Sequence, residues 1–201
     1  MQANVSEPHT IYNAVVEQFD RDRSKDLMED FYLRQVLTRL PPQAEILDLG
    51  CGTAEPIARF FIEAGCRVTG VDAAPAMLAL CRERFPDMSW QEHDMRALDF
   101  ARRFDAIIAW DSFFHLTAND QRGMFPIFMQ HIAPHGLLLF TSGPAAGIAM
   151  GEIYGHPLFH ASLDAEEYGR LLKSHGFEVL LHRVEDPHCG RHTVWLAQAR
   201  S

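Results

Sequence analysis

EILDLGCGTAEP, residues 45–56, is the stretch whose reading decides the fold. The apolar run Ile46-Leu47-Asp48-Leu49 meets a turn of small residues, Gly50-Cys51-Gly52-Thr53-Ala54, and helix-compatible residues resume at Pro56. A buried strand that ends in a glycine turn and feeds a helix has this pattern. Gly50 and Gly52 permit positive φ and leave no side chain between the backbone and whatever lies above the strand end. Amide groups exposed at the following helix start favour polar or anionic ligand groups.

Working outward, hydrophobic spacing predicts strands over 45–49, 67–71, 89–93, 104–110 and 136–141, with helices over 56–64, 75–84 and 118–132 between them. Thr117 is the expected N-cap of the last of these, with Asp120 at the capping-box position. Asp164 with Glu167 starts a further helix, Leu163 and Tyr168 have staple spacing, and Gly176 is its expected stop. Two closing strands, 177–183 and 193–197, are joined by a link short enough to require antiparallel pairing. Ahead of the sheet, 10–40 reads as two helices separated by the charged run Asp20-Arg21-Asp22-Arg23-Ser24-Lys25-Asp26 and stopped by Pro41-Pro42. Residues 142–162 are rich in glycine, with Tyr154, His156, Phe159 and His160 among them and no clear period, which reads as a lid or binding loop. The alternation implies an α/β fold with a mostly parallel sheet covered by helices on both faces, and a ligand site beyond the strand ends.

Composition narrows the function. The 201 residues suit one domain of ordinary size, and 47% hydrophobic with 22% charged residues is ordinary for a globular chain. A formal charge of −9 without a Lys/Arg-rich run argues against nucleic acid as a partner. No signal-peptide pattern opens the sequence and no apolar run is long enough to span a bilayer. Cys51, Cys66, Cys81 and Cys189, in no C-x-x-C arrangement, read as reduced thiols, so the expected compartment is cytoplasmic.

Three acids stand at successive strand ends: Asp48 in the glycine turn, Asp72 after Val68-Thr69-Gly70-Val71, and Asp94 after Trp90-Gln91-Glu92-His93. Asp72 follows Gly52 by 20 residues, the place of an acid that accepts two vicinal ribose hydroxyls. Each Asp alone could be a simple helix cap. Three in register beside a glycine turn favour a nucleoside ligand.

The ordered set Asp48-Leu49-Gly50-Cys51-Gly52-Thr53-Ala54, Val71-Asp72 and His93-Asp94-Met95 resembles the motifs of class I S-adenosylmethionine-dependent methyltransferases of the small-molecule type. The resemblance runs from about Ala44 to the C-terminus and implies a Rossmann-like seven-stranded sheet of order 3-2-1-4-5-7-6 with one antiparallel strand. It implies one methyltransferase domain over 1–201, divided into an N-terminal helical cap (1–42), a cofactor-binding half (44–141), a loop or lid (142–162), and a C-terminal helix and β-hairpin (163–201). By the same resemblance Gly50, Cys51 and Gly52 approach the methionine part of S-adenosylmethionine, with Asp48 ordering the loop. Asp72 holds the ribose, and Ala73 and Met77 pack on the adenine. Asp94 meets the adenine amine, the Met95 backbone a ring nitrogen, and the Trp110 carbonyl the cofactor ammonium. The product is S-adenosylhomocysteine and the partner a small-molecule methyl acceptor.

The third glycine of a dinucleotide fingerprint is missing near Pro56, which counts against the alternative of an NAD(P)-dependent oxidoreductase. A catalytically silent cofactor-binding regulator is a second alternative, because fold and cofactor site do not prove turnover. After the fourth strand, Trp110-Asp111-Ser112-Phe113-Phe114-His115-Leu116 lacks the N/D-P-P-Y/F pattern of enzymes that methylate DNA amino groups. His115 is the candidate general base, needed only if the acceptor must lose a proton. Tyr12, Arg23, Asp111, Tyr154, His156 and His160 are the candidate acceptor-pocket residues. His188, Cys189 and His192 lie close in sequence, but zinc would want a fourth ligand and a rigid frame, so no metal site is assigned. The sequence leaves open which atom of the acceptor is methylated and the oligomeric state.

Overall fold

The computed structural model describes residues 7–201, so positions 1–6 of the expected N-terminal cap lie outside the described residues. Two helices, α1 (Pro8–Asp22) and α2 (Asp30–Leu37), precede the first strand, β1 (Glu45–Leu49). Then follow α3 (Ile57–Glu63), β2 (Arg67–Asp72), α4 (Pro75–Arg84), β3 (Ser89–Glu92), β4 (Phe104–Ala109), α5 (Ala118–His131) and β5 (Ile132–Ser142). The chain closes with β6 (Gly147–Ile153), β7 (His156–Ser162), α6 (Ala165–Ser174), β8 (Phe177–Asp186) and β9 (His192–Ala199). Seven strands form one sheet, β3-β2-β1-β4-β5-β9-β8, which is the order 3-2-1-4-5-7-6 when only its own strands are counted. Strand β9 is antiparallel to both neighbours, and the first five strands pair parallel.

Side-chain alternation along the central strands divides the core into two layers. Ile46, Val68, Ala106, Ile108, Leu137 and Leu139 face Tyr32, Leu33 and Val36 of α2 and Phe61 of α3. Leu47, Leu49, Ile107, Ala109, Leu138 and Phe140 face Phe125 and Phe128 of α5 and Tyr168 and Leu172 of α6. Thr117 and Asp164 cap α5 and α6, accepting from the Asp120 and Glu167 amides. In α2 Phe31 is 48% exposed, and its neighbour Tyr32 is the buried ring.

Residues 142–162 are a β-hairpin, not an irregular loop, with β6 and β7 pairing in register from Gly147–Ser162 to Ile153–His156 as a separate two-stranded sheet. Gly151 and Pro157 mask the strand pattern, and Ile148 and Met150 remain exposed, so no alternation of burial marks it.

Gly50 takes the positive φ expected of it and has a second role in packing. At φ +71°, a Cβ there would lie 2.3 Å from Ser112 Cβ, so the glycine makes room for the segment after β4. Ser112 Oγ uses that closeness to donate to the Leu49 carbonyl at 2.6 Å. Gly50→Ala combines this overlap with a left-handed backbone and is expected to cost at least about 2 kcal/mol. Chemical denaturation checks this; an unshifted unfolding midpoint would contradict it.

Candidate functional site

A cavity of about 620 Å³ opens at the C-terminal ends of β1, β2 and β4, within the size range of small-ligand sites. Helix α1 and the β6–β7 hairpin contribute Tyr12, Phe19, Ile153, Leu158 and His160 to its lining. Helix α1 is tied to α4 at two places. Arg84 Nη1 donates to Asp20 Oδ1 at 2.7 Å, and the Ala76 amide donates to Asn13 Oδ1 at 2.9 Å. The Arg84 guanidinium holds the Asp20 carboxyl well below the usual carboxylate range. The hairpin in turn rests on α1, with the Tyr154 hydroxyl donating to the Gln18 carbonyl at 3.2 Å.

On the side of the glycine turn, Asp72 Oδ2 accepts from the Gly52 amide at 2.9 Å and Oδ1 from the Ala74 amide at 2.8 Å. Each oxygen keeps a lone pair for the cavity it lines. Burial raises the Asp72 carboxyl above its ordinary value, with the Ala74 and Gly52 amides opposing. Asp48 is 5% exposed and lines the same cavity. Burial, reinforced by the Asp72 charge, pushes its carboxyl up to about 7. A buried carboxylate facing a cavity, with a neighbouring anion to repel it, suits a cationic ligand group. Thr53, Trp110 and His160 each line the cavity and carry a buried polar atom (Oγ1, Nε1 and Nε2) without a hydrogen-bond partner. Buried polar atoms are normally satisfied, so their gathering at one cavity marks a polar-ligand site.

The Tyr12 hydroxyl, also in the lining, lies 3.2 Å from His115 Nε2, and His115 Nδ1 lies 3.1 Å from the Phe159 carbonyl. A carbonyl only accepts, so Nδ1 carries the hydrogen and the Nε2 lone pair receives the phenol. Burial pushes the His115 pKa down to about 4 and raises that of Tyr12, keeping both neutral. Beyond them Asp111, at φ 49°, receives His192 Nε2 at 2.8 Å on Oδ1. Arg23 Nη1 stands 3.9 Å from Asp111 Oδ2, and Arg23 Nη2 donates to Glu29 at 3.0 Å.

Of the residues singled out in the sequence, Asp48, Gly50, Cys51, Gly52, Asp72, Ala73, Met77, Asp94, Met95, Trp110, Tyr12, Arg23, Asp111, His115 and His160 all line this one cavity. Two expected members do not. Tyr154 is in the turn of the hairpin and His156 begins β7, exposed and four residues from His160, or about 13 Å along an extended strand. Asp94 lines the cavity with both oxygens already bound by the Arg96 guanidinium, at 2.9 Å each from Nε. That pair lowers the Asp94 pKa and leaves the carboxylate less free for an adenine amine than the sequence suggests. His115 is likewise no free base, since its lone pair is committed to Tyr12. Sequence reasoning missed Phe19, Phe114, Glu29 and the pairing of His192 with Asp111. The grouping of His192 with Cys189 was visible, but its meaning depended on where the β8–β9 turn lands. Among the described residues no three His, Cys, Asp or Glu side chains converge as a metal site.

Residues 46–136, which carry the glycine turn and the ends of β1, β2 and β4, match the family model described as a methyltransferase domain. Over those residues the chain is similar to a methyltransferase domain. It is 30% identical over 129 residues to a dTDP-4-amino-2,3,4,6-tetradeoxy-D-glucose N,N-dimethyltransferase of Saccharopolyspora spinosa, covering 63% of this chain and 51% of that protein. It is 32% identical over 123 residues to a trans-aconitate 2-methyltransferase of Escherichia coli, covering 60% and 46%. The chain therefore spans about half the length of these curated relatives. Its fold is shared with an S-adenosylmethionine-bound amino pentose methyltransferase of Micromonospora echinaspora, at a TM-score of 0.71 and 22% identity over 94% of this chain and 96% of that one. No helix of the described residues is long and apolar enough to cross a membrane.

The raised Asp48 pKa has a signed consequence for the chain without ligand. Between the ordinary carboxyl value near 4 and the folded value of about 7, the folded chain holds a proton that the unfolded chain has lost. Stability from this group therefore falls as pH rises through that window. His115 acts with opposite sign, its neutral folded form losing stability as pH falls from about 6.5 towards 4. Replacing Asp48 removes only the first effect. The Tm difference, Asp48→Asn minus wild type, should grow by several degrees between pH 5 and 8 in calorimetry; a pH-independent difference would contradict the assignment.

Proposed function

We propose that this chain is an S-adenosylmethionine-dependent methyltransferase acting on a small molecule. The observation that carries the reading is the gathering of two sets of groups in one cavity: Asp48, Asp72 and the Gly50–Gly52 turn, and Tyr12, His115 and Asp111. The methyltransferase-domain match supports it, as do the relatives, whose own acceptors are small molecules. When bound, S-adenosylmethionine supplies a methyl group on a positively charged sulfur, so the chain's task is to bind, align and exclude water.

In this reading Asp48 and the Trp110 carbonyl receive the cofactor ammonium, which suits a carboxylate held near neutrality in the free chain. Asp72 accepts the ribose hydroxyls through the lone pairs its amide partners leave over. Ala73 and Met77 flank the adenine, with Met95 beside it. His115 acts through Tyr12, fixing the phenol that α1 brings over the cavity. The reading carries a cytoplasmic location and no nucleic-acid partner, supported by the net charge of −9 and by four free cysteines.

Calorimetry with S-adenosylhomocysteine tests the donor site. Asp72→Ala should weaken binding by about 1.5–3 kcal/mol through loss of a charged acceptor, and unchanged affinity removes Asp72 from the site. Because Tyr12 and His115 form one unit, Tyr12→Phe and His115→Gln should lower turnover similarly, and the double variant should be little worse than either single one. Fully additive losses would show that the two side chains act independently.

A further inference from the structure

The turn between β8 and β9 places His192 where both ring nitrogens meet acceptors. Nδ1 is 2.7 Å from the Cys189 carbonyl oxygen and Nε2 is 2.8 Å from Asp111 Oδ1. A neutral imidazole has a single N–H, whereas a carbonyl and an ionised carboxylate only accept. Satisfying both contacts therefore requires a hydrogen on each nitrogen.

The surroundings suit that charge. Around His192 stand Asp111 from the end of β4, Glu29 ahead of α2, and the Trp110 ring at 5.4 Å between centroids, within cation–π reach. Burial opposes the charge, but the Asp111 contact and field, with help from Cys189 and Glu29, outweigh it and raise the His192 pKa. Arg23, at the end of α1, is a second cation near Asp111, and it is already paired with Glu29.

We propose that His192 is held as an imidazolium between the Cys189 carbonyl and Asp111, that it thereby positions Asp111 as an ionised anchor for the methyl acceptor, and that the acceptor's nucleophile is an amine. This rests on the methyltransferase reading and names its substrate class. Asp111 Oδ2 is the oxygen left to accept from an N–H group in the cavity. A hydroxyl nucleophile anchored at Asp111 would need a base to take its proton, yet the His115 lone pair is committed to Tyr12. A neutral amine attacks the methyl carbon with its own lone pair as the carbon–sulfur bond breaks, and S-adenosylhomocysteine leaves as a neutral thioether. The ammonium so formed sheds its proton to solvent after the transfer, so no base is needed in the attack. A carboxylate nucleophile would approach the Asp111 anion while both nearby cations are already engaged.

Nitrogen-15 NMR of histidine-labelled full chain tests the first half. At neutral pH both His192 nitrogens should carry hydrogen, and Asp111→Asn should return the ring to a singly protonated form. A singly protonated His192 in the wild-type chain overturns the proposal. For the second half, benzylamine, benzyl alcohol and benzoate are compared by calorimetry on the chain saturated with S-adenosylhomocysteine. Benzylamine should bind about tenfold more tightly than the other two, the worth of one charge-assisted hydrogen bond, and His192→Gln should narrow that gap. Equal or tighter binding of benzoate overturns it. Should the variants fail to fold, the wild-type spectra and probe ranking still decide. Failure of S-adenosylhomocysteine to bind would count against the methyltransferase reading alone, because the His192 protonation is read in the free chain.

Discussion

The hydrogen bond from the Gly52 amide to Asp72 Oδ2, 2.9 Å long, ties the turn after β1 to the end of β2. On the other side of the same turn, Ser112 Oγ reaches the Leu49 carbonyl across the space that Gly50 leaves open. The turn is thus held from β2 and from the segment after β4 at once. Its glycines serve close approach between strand ends as much as access for a ligand. With the turn fixed, Asp48 stays buried in the cavity lining, and Asp111 lies in the same lining next to Ser112.

That geometry creates an uneven field. Asp48 and Asp72 lie near each other, and burial resists the charge of both, with the Asp72 anion adding to the resistance at Asp48. A cationic cofactor would relieve this opposition, so the site is complementary to the ligand and not to itself. Elsewhere in the cavity the charges are already balanced, with His192 against Asp111 and Arg23 against Glu29. Tyr12 and His115, both neutral, are paired with each other. The two sets of residues differ in polarity because different elements supply them: the ends of β1 and β2 for the first, and α1, the segment after β4 and the β8–β9 turn for the second.

The sequence made the first of these sets legible. A parallel sheet puts its strand ends together, so acids following short apolar runs must converge, and Asp48 and Asp72 did. The second set was harder because its parts come from segments whose docking depends on tertiary contacts. Tyr12 was a candidate only if α1 folded over the site, which the Asp20–Arg84 pair enforces across 64 residues of sequence. His192 stood out in the sequence only by its closeness to His188 and Cys189, with no metal site assigned, and the β8–β9 turn sets it against Asp111. Tyr154 and His156 pointed the other way: aromatic and imidazole residues near His160 in sequence belong to the outer end of a hairpin that Gly151 and Pro157 conceal. Asp94 illustrates a third case, a residue in the expected place whose carboxylate is already held by its neighbour Arg96.

The most direct test of the central claim is a crystal structure of the chain with S-adenosylhomocysteine bound. The account predicts the ribose hydroxyls on Asp72, the amino-acid end over the Gly50–Gly52 turn beside Asp48, and the sulfur facing Tyr12 and His115. A ligand bound in the reverse direction, or outside this cavity, would contradict it.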